Sequence, residues 1–364
     1  MSDRHVRIFE VGDYDRQIDR AVELLRGEKL VLLPTETVYG LTAMLKSPAA
    51  MERLRELRGG ERKRPFVIHV PSREEALALV GDPGPVGLRL IRKAWPGPVA
   101  LVFDLSGMQR DAVARRLEVP AELVFDGTTI TVRCPDHIVA GDVIGKVKGT
   151  VVMSPCPLPR DGEPVPEGVD LVLDAGPTRF DQPSTIVRVR RDGYDIVREG
   201  IVDRRTLDRI MRRTVLFVCS GNTCRSPMAE ALARKAISDR LRVPPSELEQ
   251  AGVSVLSAGS YAIPGARASE HAVTAVASLG ADLSRHRSRP LSPELINQAD
   301  LILAMGRSHQ HAVTAISPAA SDKTFLLDPS GDVEDPIGGD ASLYLELATH
   351  LTELIRDRLN EHFF

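Results

Sequence analysis

The chain has 364 residues, more than one ordinary hydrophobic core needs, so two domains are expected. Its 47 Lys and Arg against 50 Asp and Glu leave a formal net charge of −3, which offers no global argument for nucleic acid. The 43% hydrophobic and 27% charged content is that of a soluble globular protein, and four cysteines without metal-finger spacing argue against a disulfide scaffold or a metal site.

The opening Met1-Ser-Asp-Arg-His5 leads into polar sequence, and no apolar stretch is long enough to span a bilayer. A cytoplasmic location and no membrane partner are expected. Patterning then predicts a helix near 14–26 and strands near 29–33, 66–70, 99–103, 129–133, 170–173, 185–189 and 195–198, broken by Pro and Gly turns. The basic stretch Asp203–Arg213 reads as a helical connector, which sets domains at 1–205 and 213–364 with a linker at 206–212. Beyond it, strands near 214–218, 253–256, 300–303 and 324–327 alternate with helices near 227–240, 267–279, 306–315 and 341–361. Such alternation argues for a parallel sheet wrapped by helices, with ligands beyond the strand carboxyl ends.

The loop Cys219-Ser-Gly-Asn-Thr-Cys-Arg-Ser226 follows the apolar run Thr214–Val218 directly. The next residues read as a helix with Ser226 as N-cap and Pro227 at its first position. A loop between a strand end and a helix N-terminus presents backbone N–H groups to an anion. A thiolate is favoured there, and the Arg225 fork suits phosphate oxygens, so Cys219 is the candidate nucleophile and Arg225 the clamp. Residues Ser220, Gly221, Asn222, Thr223, Cys224 and Ser226 complete the cradle. A leaving group also needs an acid, and Asp335 in the turn Val333-Glu-Asp-Pro-Ile-Gly-Gly339 is the candidate. The alternative is a turn aspartate that caps its own backbone.

With these residues in view, 213–364 resembles the low-molecular-weight protein-tyrosine-phosphatase family along its full length. The resemblance rests on the loop through Pro227-Met-Ala-Glu230, on Ser257-Ala-Gly259, His286-Arg-Ser-Arg289, Ala299–Met305 and Asp335-Pro336. It implies a hydrolase that works through phosphocysteine without a cofactor, with phosphorylated protein as substrate. It also implies that Asn222, Ser226, Ser257 and His286 hold the loop and that Ser226 eases departure of the thiolate. Tyrosine-specific members carry aromatics after Asp-Pro, where this chain has Ile337 and Gly338, and a bulkier aliphatic residue where it has Thr223. The string resembles the bacterial protein-arginine phosphatases instead, so phosphoarginine is favoured over phosphotyrosine. The Thr223 hydroxyl would bond near a guanidinium or position water; alternatively it only packs. No cysteine follows Cys224, which closes an arsenate relay through a later thiol but leaves a reversible Cys219–Cys224 disulfide open.

The first half carries Leu33-Pro-Thr-Glu-Thr-Val-Tyr-Gly-Leu41, Lys93-Ala-Trp-Pro-Gly-Pro-Val-Ala-Leu101, Thr131-Val-Arg-Cys-Pro-Asp-His137, Pro183-Ser-Thr-Ile-Val187 and Val197-Arg-Glu-Gly-Ile201. Singly, each reads as a turn and strand. In this order they resemble the YrdC-like threonylcarbamoyl-AMP synthases. The resemblance implies a twisted mixed α/β sheet for this half; with the C-terminal Rossmann-like parallel sheet and its phosphate loop after the first strand, the expected fold is two-domain α/β. It implies threonine and ATP as ligands, with Thr35, His69, Arg133 and Ser184 on the threonine side and Ser154 and Arg198 facing the nucleotide. The net charge lends tRNA, the family's downstream partner, no support. Two motifs depart: Lys-x-Arg appears as Arg58-Gly-Gly60, with a shifted Arg62-Lys-Arg64 cluster, and Ser-x-Asn as Ser154-Pro-Cys156. The expectation is a phosphatase fused to a YrdC-like domain of weakened or altered activity, that half binding another nucleotide or RNA, regulating the phosphatase, or persisting as a structural remnant. The alternative makes the first half the working end, a synthase or a nucleotide- or RNA-binding module in tRNA modification with an accessory phosphatase.

Overall fold

The computed structural model describes residues 4–58, 65–160 and 163–364, and the chain divides into two compact units, Met1–Leu207 and Asp208–Phe364. The boundary falls inside the helix Arg204–Met211, whose Leu207 is fully buried.

In the C-terminal unit, strands Val253–Gly259, Arg213–Cys219, Leu301–Ala304 and Thr324–Leu326 lie side by side in that order, every pair parallel. Alternation along Arg213–Cys219 sends Val215, Phe217 and Cys219 into one core and Leu216 and Val218 into another. The first core includes Met228, Tyr344 and Leu351 from two long helices, Arg225–Leu241 and Ala341–His362; the second includes Ile296 and Val313. Both faces are covered, which is why the strand reads as an unbroken apolar run. The first strand in sequence is therefore central, between the second and third. Its carboxyl end is the switch point where an open α/β sheet parts to form a crevice.

The helix after the loop starts at Arg225 with Cys224 in the N-cap place, so Ser226 is not the cap that its sequence position suggests. Its hydroxyl is drawn instead to groups inside the loop. The final helix is capped conventionally, the Asp340 carboxylate accepting from the Ser342 and Leu343 N–H groups.

Among the described residues, the N-terminal unit forms an 11-stranded mixed sheet. Its main order is His5–Arg7, Leu171–Asp174, Val31–Leu33, Gly40–Met44, Val151–Pro155, Val67–His69, Thr129–Arg133, Val99–Asp104, Thr185–Val189 and Tyr194–Arg198. Two central members, Gly40–Met44 and Val151–Pro155, have no counterpart in the sequence expectation. The first lacks a β-branched run and the second runs into prolines, so sheet pairing rather than propensity makes them strands. Register sets His69 beside Arg133, and Leu41 beside Ser154. Helices Tyr14–Arg26 and Ile138–Val147 close one core through Ile18, Leu25, Val143 and Ile144. Trp95 is buried and its indole N–H donates to the Val99 carbonyl at 2.6 Å, which ties the Lys93–Leu101 turn together.

Candidate active site

The loop from Cys219 to Ser226 closes around its own polar groups. The Asn222 N–H points at Cys219 Sγ at 3.2 Å, and Ser226 Oγ lies 2.8 Å from the same sulfur. Asn222 is fully buried with a φ of 54°, a left-handed conformation that asparagine tolerates better than most residues. Its side-chain amide donates to Ser226 Oγ at 3.0 Å and Ser257 Oγ at 2.8 Å, while its Oδ1 accepts the Arg289 N–H at 2.9 Å. Its backbone carbonyl accepts from His286 Nε2 at 2.8 Å. Ser257 in turn donates to Glu230 at 2.6 Å. The structure thus brings Asn222, Ser226, Ser257 and His286 into one network, the first three buried and His286 half-buried. Gly259 permits this approach, because a Cβ there would lie 2.4 Å from the Ser220 carbonyl.

Arg225 is 8% exposed, and its guanidinium donates to the Val333 carbonyl at 3.1 Å and to the Asp335 carboxylate. The turn 333–339 therefore lies against the loop, with the Asp335 side chain 42% exposed. Asp335 also accepts the Ile337 N–H at 3.3 Å, a turn cap coexisting with the contact to Arg225. Thr223 is half-buried; its carbonyl accepts the Ser269 N–H and its hydroxyl lies 3.8 Å from Cys224 Sγ. Cys224 Sγ lies 3.4 Å from the buried Tyr344 hydroxyl, whose pKa is raised by burial and then by the bond to Cys224. All four cysteines are free. Cys134 is pushed up to about 12 and Cys156 is also raised, both chiefly by burial, so neither suits a nucleophile's task.

In the N-terminal unit, Thr35, Arg58, His69, Arg133, Ser154, Ser184 and Arg198 all line one cleft of about 570 Å³. Arg133 is buried and paired with Glu36 at 2.8 Å; it also donates to Thr37 Oγ1 at 2.8 Å, and its Nε has no hydrogen-bond partner among the described residues. His69 Nδ1–H donates to the Val67 carbonyl at 3.1 Å, and burial followed by the Arg133 charge lowers its pKa to about 3. Arg198 donates to the Ser184 carbonyl at 2.8 Å, and Arg58 stacks 4.9 Å from the Phe66 ring centroid. The Arg62-Lys-Arg64 cluster lies outside the described residues. Cys156 at the altered motif donates its backbone N–H to the Tyr39 carbonyl.

Comparison with known proteins adds independent findings. A family model described as telomere recombination, for Sua5, YciO and YrdC, matches residues 23–200, and one described as low molecular weight phosphotyrosine protein phosphatase matches residues 214–362. A protein-arginine-phosphatase of Bacillus subtilis is 42% identical over 147 residues, covering 39% of this chain and 91% of that relative. The chain belongs to the low molecular weight phosphotyrosine protein phosphatase family. A probable low molecular weight protein-tyrosine-phosphatase of Ralstonia solanacearum is 41% identical over 128 residues, covering 35% of this chain and 79% of that relative. For the other half, a threonylcarbamoyl-AMP synthase of Bacillus subtilis is 27% identical over 212 residues, or 56% of this chain; the chain spans 58% of that relative's length. The molecule is a low molecular weight phosphatase domain fused to a Sua5/YrdC-like domain.

Within the phosphatase domain, sequence reasoning assigned no role to Glu230, His309 or Tyr344, which all bond to residues of the loop or its support. Glu230 stands in the quoted motif, and His309 shortly follows a strand's carboxyl end, the zone where ligands gather. Tyr344 had no such signal, since only packing of the last helix brings it to Cys224. Among the described residues no helix is long and apolar enough to cross a membrane, and no group of His, Cys, Asp or Glu is placed to hold a metal.

Proposed function

We propose that the C-terminal domain hydrolyses phosphoarginine on proteins through a phosphocysteine intermediate. Cys219 Sγ attacks phosphorus, and the bond to the leaving nitrogen breaks as Asp335 delivers a proton to it. Arg225 holds the equatorial oxygens in place of its contact with Asp335. Asp335, now a carboxylate, takes a proton from water, which attacks phosphorus and breaks the P–S bond. The departing thiolate is received by the Ser226 hydroxyl and the Asn222 N–H. The observation that carries this reading is the convergence of Asn222 and Ser226 on Cys219 Sγ beside an Arg225–Asp335 pair.

The absence of an aromatic wall at Ile337 and Gly338, and Thr223 within the loop, favour a slim guanidinium over a phenol ring. Similarity to the Bacillus subtilis protein-arginine-phosphatase supports the same choice. The test is turnover of phosphoarginine and phosphotyrosine peptides by wild type and Thr223→Ile. The expected result is a wild-type preference for phosphoarginine that swings toward phosphotyrosine by about tenfold or more in the variant. A wild-type preference for phosphotyrosine overturns it.

A second reading concerns the other half. We infer that its cleft binds an adenine nucleotide together with threonine, supported by the gathering of Thr35, His69, Arg133, Ser154, Ser184 and Arg198 around one volume. Pyrophosphate release from ATP with threonine and bicarbonate would mark a working synthase. Nucleotide binding without release would mark a ligand-sensing remnant, and no binding at all would end this reading.

A further inference from the structure

His309 is 5% exposed, its Nε2 lies 2.8 Å from the Ser220 hydroxyl, and its Nδ1 has no hydrogen-bond partner among the described residues. It stands in the first turn of the helix Arg307–Ile316. That helix start is tied to the turn carrying Asp335: the Arg307 N–H donates to Asp332 Oδ1 at 2.8 Å, and a Cβ on Gly306 would lie 2.8 Å from the same carboxylate. One side chain therefore joins the phosphate loop to the element that seats the acid's turn.

The proton on this ring can be placed by elimination. Burial, and then the Arg225 charge, lower the pKa of His309, so the ring is neutral at pH 7 and carries one N–H. A hydrogen on Nδ1 would leave a buried donor unpaired, the costlier kind of orphan. With the hydrogen on Nε2, the ring donates to Ser220 Oγ. The hydroxyl then accepts from His309 and retains its own proton for another acceptor. Ser220 is half-buried and directly follows Cys219, so its hydroxyl proton is left for water, and for an anion once one is held in the loop.

We propose that His309 is a positioning residue for the phosphatase reaction, its Nε2–H holding the Ser220 hydroxyl so that the hydroxyl proton is turned toward the bound phosphate oxygens. The proposal rests on the phosphatase reading, and wild-type hydrolysis of p-nitrophenyl phosphate separates the two: without it the reading fails before His309 is questioned.

The experiment is a double-mutant cycle on the full chain with Ser220→Ala, His309→Ala and both together, reading kcat, KM and the inhibition constant of inorganic phosphate, with melting temperature as the fold check. His309→Leu serves as a second variant of similar bulk without a donor, should the alanine variant fold poorly. Each single change is expected to weaken phosphate inhibition by about ten- to a hundredfold, the scale of one hydrogen bond to a charged group. The double variant should be no weaker than Ser220→Ala alone, and His309→Gln, which returns an N–H at similar reach, should recover most of the loss. Additive effects, or unchanged phosphate inhibition in the folded alanine or leucine variant, would overturn the proposal and leave His309 as packing.

Discussion

The phosphate loop and the N-terminal cleft both set an arginine against a carboxylate, but the two pairs are built for different uses. Arg225 meets Asp335, whose side chain is 42% exposed on a turn, whereas Arg133 meets Glu36 with side chains only 6% and 2% exposed. The Glu36 carboxylate is further held by the Asp136 N–H at 3.1 Å. An exposed carboxylate is readily replaced by a phosphate dianion. A buried, multiply bonded one is not, because separating such a pair leaves an uncompensated charge in low dielectric. The first arrangement suits a cation that exchanges partners during a reaction cycle. The second suits a fixed wall to which Arg133 lends its charge and its shape.

Cys219→Ser should make the contrast widest. Hydrolysis of an aryl phosphate is expected to fall by at least about 10⁴-fold, the scale of losing a covalent nucleophile, while nucleotide binding by the cleft, measured by calorimetry, stays as in wild type. Wild-type turnover in this variant would sink the assignment of Cys219.

Breaking the two pairs should then separate them. Glu36→Gln is expected to destabilise the N-terminal unit by about 3–5 kcal/mol, as for a buried charge left without its partner, read from its urea transition. Asp335→Asn should leave the melting temperature nearly unchanged, lower kcat by about 10²–10³-fold, and bind inorganic phosphate at least as tightly, since Arg225 loses its competitor. Equal losses of stability in the two variants would erase the distinction.

A smaller effect should come from pH. His69 titrates at about 3 in the folded state because burial and Arg133 disfavour its charged form. Unfolding restores a pKa of about 6.5, so between those values the unfolded chain binds more protons and stability falls as pH falls. His69→Gln should therefore lose less stability than wild type between pH 7 and 4, by at most about a few kcal/mol in the N-terminal urea transition. Parallel pH profiles for the two proteins would show that His69 takes no part.

Strand, loop and helix in the C-terminal half were legible because the proposed nucleophile, the proposed clamp and the backbone donors lie within one eight-residue stretch, Cys219–Ser226. Covalent connection brings them together once a buried run ends and a helix begins. Ser226 shows the limit of that reading. Its place before Pro227 suggests a cap, yet the helix starts one residue before it and packing turns its hydroxyl to Cys219. The cleft residues, scattered from Thr35 to Arg198, were reached through family resemblance, since each string alone fits an ordinary turn. The strands Gly40–Met44 and Val151–Pro155, which help to build the cleft's wall, carried only short local signals, Thr42 alone in the first and Val151-Val152 ahead of a proline in the second.

The sequence by itself determined the two-part organisation, the parallel sheet of the second half, and the loop from Cys219 to Ser226 as the place where the proposed chemistry sits. Local order and residue type are sufficient for those. Only the tertiary structure decided what Asn222, Ser226 and Arg225 bond to, that Tyr344 and His309 reach the loop, and that Arg133 meets a buried carboxylate while Arg225 meets an exposed one. Those outcomes depend on burial and on contacts between segments far apart in the chain, which side-chain spacing along a sequence does not encode.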